Sequence, residues 1–168
     1  MPAKAIYTFG QDETQRIFAW ARYVFWAEIE CHQYSAYERA EDESTFGKIL
    51  VTGADAPAVL NRICTADVDV AVGRVVYTQW LNDRGGTVAD VTVTRLDETS
   101  FLVATGGPVL YHDLHWVRRH IPEDARAVAV DVSNAYAVLG VMGPRSRELL
   151  ASLTDGDLSN EAFPFATS

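Results

Sequence analysis

The residues best suited to chemistry lie in one stretch, QWLNDRGGTVADVTVTRL, from Gln79 to Leu96. An apolar strand ends at Leu81. The turn-rich cluster Asn82-Asp83-Arg84-Gly85-Gly86 follows, and a β-branched strand returns from Thr87 with a single acid in it, Asp90. Aspartate is disfavoured in strands, and a carboxylate among apolar neighbours costs free energy unless something pairs with it. Side chains alternate along a strand, so Val88, Asp90, Thr92 and Thr94 share one face. Ala89, Val91 and Val93 share the other, which is the natural core face. Asp90 is therefore expected to point toward a mixed, partly polar surface. Two readings stand: a solvated strand acid, or a carboxylate on a pocket wall, fixed where it can orient a nucleophile, move a proton or stabilise a cation. On the partner strand Tyr77, Gln79 and Leu81 share a face, opposite Val76, Thr78 and Trp80. An aromatic beside that carboxylate either packs across the strands or stacks on a flat ligand.

The other candidates are weaker. His112 and His115 stand at i and i+3 on an expected helix, a spacing that can hold a metal, but no Cys or Glu set completes a site. With His120 they read as solvated histidines, and no metal is expected. Gly106-Gly107-Pro108 leads into a helix but lacks the spacing of a phosphate loop, so it reads as a turn. Arg118, Arg119, Arg145 and Arg147 read as solvated helix faces. Cys31 and Cys64 fit no ligand spacing and read as reduced thiols. No nucleophile triad is legible.

Composition sets outer bounds. The 168 residues are 48% hydrophobic and 22% charged, an ordinary globular balance, and the formal net charge is -9. An acidic chain without a basic stripe argues against nucleic acid, whose phosphates it would repel. The start of the chain shows no basic segment followed by an apolar one, so no secretory signal is expected. The most apolar stretch, Phe18 to Trp26, is too short to span a bilayer and is interrupted by Arg22. A soluble, cytoplasmic-type protein without a membrane partner is the expectation.

The elements that must position Asp90 can be read around it. Residues 1–43 form a poorly assigned N-terminal segment, aromatic-rich and then acidic, with a helix expected over Thr14 to Arg39. A strand is expected over Phe46 to Val51, with Gly53 in the turn and Asp55 as the N-cap of the helix that follows. Ala56, Val59, Leu60, Ile63 and Cys64 form one face of that helix. Arg74 to Leu81 and Thr87 to Arg95 make a hairpin. A strand over Ser100 to Thr105, a helix with the apolar face Leu110, Leu114, Val117 and Ile121, and a strand over Ala127 to Val132 complete a first subdomain, residues 44–133. From 134 the plan begins again. At an offset of 90, Ile49 meets Leu139, Val51 meets Val141, Gly53 meets Gly143 and Leu60 meets Leu150. Both are strand, glycine turn, amphipathic helix, as the openings of two similar α+β subdomains would be. The second, residues 134–168, is expected to be cut short. Its apolar face would then be left uncovered and the chain would self-associate.

The words of the sequence carry more than its periodicity. STFGKI (Ser44 to Ile49), CTADVDVAVGRVVYTQWLNDRGGTVADVTVTRL (Cys64 to Leu96), VLGVMGPRSRELL (Val138 to Leu150) and FPFATS (Phe163 to Ser168) resemble one family. It is the folate-binding, aminomethyltransferase-like module that ends dimethylglycine and sarcosine dehydrogenases and is related to the glycine-cleavage T-protein. The resemblance implies an α+β fold, mainly an antiparallel sheet with flanking helices, here with an incomplete second subdomain out of a three-subdomain disc. It implies a tetrahydrofolate site and one-carbon transfer to tetrahydrofolate in N-methyl amine or glycine catabolism. The partner would be a flavin-dependent N-methyl amine dehydrogenase chain or domain. No flavin site is expected in this chain, which has no GxGxxG after a strand near its start. The family's acid falls on Asp90, where it would hold the folate amine and stabilise a cationic iminium. Tyr77 falls beside the pterin and benzoyl rings, and Val91, Thr92 and Val103 on strands that would line the same cavity. The matching segments stop short of the family's later pterin-gripping glutamate. The isolated chain is therefore expected to bind folate weakly, about millimolar, or to be a non-catalytic remnant or interaction subunit docking on a separate flavoprotein.

Overall fold

The computed structural model describes residues 39–168; the helix expected over 14–39 lies outside them but for Arg39. The chain divides into two compact units. One holds residues 45–136 with 166–168, and the other holds 137–165 with 39–44.

The larger unit is a five-stranded sheet in the order β3-β4-β5-β2-β6. Its strands are β2 (Gly47–Thr52), β3 (Val75–Leu81), β4 (Thr87–Arg95), β5 (Ser100–Thr105) and β6 (Val128–Asp131), and every neighbouring pair is antiparallel. Helices α1 (Ala56–Ile63) and α2 (Leu110–His120) supply the apolar side chains that cover one face. Ile49, Val51, Trp80, Val91, Val93, Phe101 and Val103 point into that core together with Leu60, Leu114 and Val117. The strand alternation read from the sequence thus selects the inner face correctly. Burying these side chains, at about 1.5–3 kcal/mol each, is the main stabilising term.

Three local devices set the strands in place. Gly53, with φ +131°, turns the chain from β2 into α1. Asp55 stands at the helix start but makes no side-chain cap bond. Its carboxylate instead accepts the Arg126 backbone N–H at 2.8 Å and the guanidinium at 3.2 Å and 3.4 Å, so it ties the approach to β6 onto the start of α1. These bonds hold its carboxyl below the ordinary range. Arg95, at the end of β4, donates to Asp69 at 2.5 Å and to the Val70, Asp97 and Glu98 carbonyls, so one guanidinium fixes both the loop before β3 and the turn after β4.

In the second unit β1 (Arg39–Asp42) pairs antiparallel with β7 (Leu139–Met142), followed by the short helix α3 (Ser146–Ala151). Residues 39–44 group with 137–165 in this unit. The echo seen in the sequence is present in the backbone. Gly143 turns at φ +123° as Gly53 does at +131°. Ala56 N donates to Gly53 O and Val59 N to Asp55 O, and the same two bonds recur as Ser146 N to Gly143 O and Leu149 N to Arg145 O.

Candidate functional site

The hairpin of β3 and β4 builds the site. Asn82 closes its loop: the side-chain oxygen accepts the N–H groups of Arg84 and Gly86 at 2.9 Å and 3.0 Å, and Gly85 supplies a φ of +77°. The register places Gln79 opposite Asp90 and Tyr77 opposite Thr92, with a shift between Trp80 and Leu81 that marks a bulge next to the site. Bulges of this kind re-aim side chains and are concentrated near functional sites.

On the face away from α1 and α2, Tyr77, Gln79 and Asp90 come together. The Tyr77 hydroxyl donates to Asp90 Oδ2 at 2.6 Å, and Gln79 Nε2 donates to Asp90 Oδ1 at 3.2 Å. Asp90 is exposed and Tyr77 retains 64% of its surface. The carboxylate beside it pushes the Tyr77 phenol above its ordinary range, chiefly because ionising the phenol would break the hydrogen bond to Asp90. At neutral pH the phenol is thus a fixed donor. Both carboxylate oxygens accept one hydrogen bond each and keep further lone pairs for a ligand. Thr92, half-buried, extends the row from Tyr77 toward Ala104 and then Lys48, the residues facing one another in register across four strands. Lys48 is 1% exposed, and its ammonium donates to Ser133 O at 3.0 Å.

Of the five residues singled out from the sequence, the structure brings together Asp90, Tyr77 and Thr92 on one face. Val91 and Val103 are on the opposite face, 1% and 0% exposed in the core. They shape the sheet from behind and present no surface on the Asp90 side. The sequence puts Gln79 on the Tyr77 face without a role, and the hairpin register adds that it stands directly across from Asp90.

His112 and His115 are exposed, and His112 Nδ1 lies 2.9 Å from Asp113 Oδ1. His120 Nδ1 sits 2.8 Å from Trp116 O. No cluster that could hold a metal ion occurs among the described residues. Cys64 accepts a hydrogen bond from Trp80 Nε1 at 3.2 Å, and burial pushes its thiol up to about 11. No helix among the described residues is long and apolar enough to cross a membrane.

This surface has the chemistry for a flat, amine-bearing ligand. Tyr77 offers an open aromatic face, Asp90 an oriented carboxylate for an N–H donor or a cation, and Thr92 a hydroxyl beside them. Tetrahydrofolate, with its ring systems and amine nitrogens, fits that donor and acceptor set.

Comparison with known proteins agrees with the fold. A family model described as the GCVT N-terminal domain matches residues 9–168. The chain is 42% identical over 121 residues to 4-methylaminobutanoate oxidase (formaldehyde-forming) from Paenarthrobacter nicotinovorans, which covers 72% of this chain and 15% of that protein. It is 36% identical over 138 residues to mitochondrial sarcosine dehydrogenase from Mus musculus, covering 74% of this chain and 15% of that one. Glycine cleavage system aminomethyltransferase T from Bartonella henselae superposes with a TM-score of 0.64 at 23% identity, over 70% of this chain and 32% of that chain, a likeness of fold. The sequence therefore spans a minor part of the length of each of these relatives.

Proposed function

The chain belongs to the GCVT N-terminal domain family, and from that membership and the hairpin geometry we propose that it forms part of a tetrahydrofolate site for one-carbon transfer. The observation that carries the proposal is the exposed Tyr77–Asp90 pair, an aromatic whose hydroxyl donates to the carboxylate at 2.6 Å across the hairpin. Tetrahydrofolate, when bound, supplies two amine nitrogens that take up a one-carbon unit from a cationic iminium.

The chain's own residues have three tasks. Asp90 would accept a hydrogen bond from a folate amine N–H and set its negative charge against the cationic one-carbon donor. The same carboxylate would be placed to take a proton from that amine and to return it to the departing amine, with the proton of the second folate nitrogen passing to solvent. Tyr77 provides the stacking surface for the rings and keeps its proton, so it holds the carboxylate in place throughout. Thr92 adds a polar contact on the floor of the site.

The source of the one-carbon unit is proposed to be an N-methyl amine oxidised by a flavin-dependent dehydrogenase chain or domain. The two named relatives, an oxidase of 4-methylaminobutanoate and a dehydrogenase of sarcosine, favour that class of donor. The test is calorimetric titration of the purified chain and its Asp90→Asn and Tyr77→Ala variants with tetrahydrofolate. Saturable binding weakened by about 10-fold or more in each variant is expected, the scale of one lost charge-assisted hydrogen bond or stacking contact. Absence of binding by the parent would refute the proposal and favour a docking module without folate chemistry.

A further inference from the structure

We propose that Gln79 is a positioning residue for Asp90, fixing the plane of its carboxylate toward the open face of the site. The inference rests on the tetrahydrofolate reading given above. Three observations carry it. First, Gln79 Nε2 donates to Asp90 Oδ1 at 3.2 Å while Tyr77 holds Oδ2, so the two oxygens are gripped separately, both by β3. A carboxylate held at one oxygen still swings about that bond, whereas one held at both has a defined plane.

Second, the backbone geometry brings Gln79 close to Asp90. Gln79 O accepts the Thr65 N–H at 3.0 Å, and Gln79 N–H donates to Thr65 Oγ1 at 3.4 Å. Both main-chain groups of Gln79 are therefore turned away from β4. In an antiparallel ladder, a facing pair whose main-chain groups point outward is the non-hydrogen-bonded kind, with Cα atoms about 4.5 Å apart instead of about 5.5 Å. Gln79 and Asp90 are such a pair, which is why a side chain as short as aspartate is within reach.

Third, Gln79 is itself anchored. Thr65 Oγ1 lies 3.2 Å from Thr78 Oγ1, Thr78 is 1% exposed, and Cys64 bridges to Trp80 in the core. The segment that pins Gln79 is tied to the most buried part of the strand, so the donor has a rigid base. A supporting group set on such a base is what preorganised sites require.

The test uses Gln79→Met, which keeps the length and removes the donor, and Gln79→Val as a second donor-free variant that suits a strand. Two quantities are read on the full chain: tetrahydrofolate affinity by calorimetry, and the orientation of the Asp90 carboxylate plane (χ2) in crystal structures of the parent and the variants, with melting as the control for folding. In both variants the affinity is expected to fall about 10-fold, and the Asp90 carboxylate is expected to leave the parent plane or to occupy more than one, with cooperative melting retained. If the parent binds and the variants bind equally well, or Asp90 keeps the parent plane in them, the positioning role is overturned and the folate reading stands. If the parent does not bind tetrahydrofolate, the functional reading falls and this inference falls with it.

Discussion

Replacing Gly53 by alanine tests the joint that carries the chain from β2 into α1, and Gly85 supplies an internal control. Both glycines have positive φ, +131° and +77°. A Cβ in left-handed backbone costs roughly 1–2 kcal/mol, offset by a few tenths because alanine restricts the unfolded chain. At Gly85 that is the whole cost, because an added Cβ would meet nothing within 4 Å. At Gly53 the same Cβ would lie 2.0 Å from the Arg126 carbonyl oxygen and 2.8 Å from the Ala127 Cα. These are backbone atoms, so the 126–127 segment must move. That strains the bond from Asp55 N to Arg126 O and the bond from Arg126 N to the Asp55 carboxylate. At about 0.5–1.5 kcal/mol for the neutral bond and 1.5–3 for the charged one, Gly53→Ala should cost about 3–5 kcal/mol against about 1 for Gly85→Ala. In a chain of this size those figures correspond to a fall in Tm of roughly 10–15 °C and roughly 3 °C. Thermal and urea unfolding followed by circular dichroism measure both. A Gly53→Ala protein no less stable than Gly85→Ala would refute the reasoning that the close approach of Arg126 fixes this turn.

Two further outcomes follow from the perturbed acidities. In Asp90→Asn, the Tyr77 phenol should titrate lower than in the parent, back toward its ordinary range near pH 10, by ultraviolet difference titration; an unchanged titration would show that Asp90 is not its partner. The sign for stability follows the same shift: the folded phenol is raised, so its contribution is whole below the ordinary phenol range and is lost as pH rises through the raised value. In a Cys31→Ala background, Cys64, with its thiol near 11, should be alkylated at pH 8 about 100-fold more slowly than an ordinary exposed cysteine. Alkylation at an ordinary rate would contradict its burial against Trp80.

Much of this was legible because it is local. The alternation in TVADVTVTR reflects a strand with one face in the core, and β4 runs from Thr87 to Arg95 as read. The face of α1 was legible for the same reason, since Ala56, Val59, Leu60 and Ile63 repeat at helical spacing and are all buried. What escaped is contact across sequence distance and polar groups on apolar faces. β1 meets β7 about a hundred positions later, a pairing that no local pattern encodes. Asp55 fits the N-cap preference, but Arg126 competes for its carboxylate from 71 positions away and wins. Asp113 follows Leu110 by one helical turn, which puts it on the inner face of α2. It is 0% exposed there and accepts hydrogen bonds from Thr105 and His112. A reading that assigns acids to solvent cannot find it. At the site, Asp90 and Tyr77 stand out by residue type, whereas alternation puts Gln79 on the Tyr77 face and only the register sets it against Asp90. Val91 is next in the chain to Asp90 and Thr92, and Val103 is next to Ala104 of the same cross-strand row, yet both lie behind the sheet, since one residue along a strand reverses the face.

We propose that tetrahydrofolate lies on the Tyr77–Asp90 face, and a crystal structure of the protein with tetrahydrofolate is the decisive measurement. A folate ring is expected over Tyr77, with a folate amine nitrogen within about 2.7–3.2 Å of an Asp90 oxygen. Folate bound elsewhere, with Tyr77 and Asp90 untouched, would contradict it.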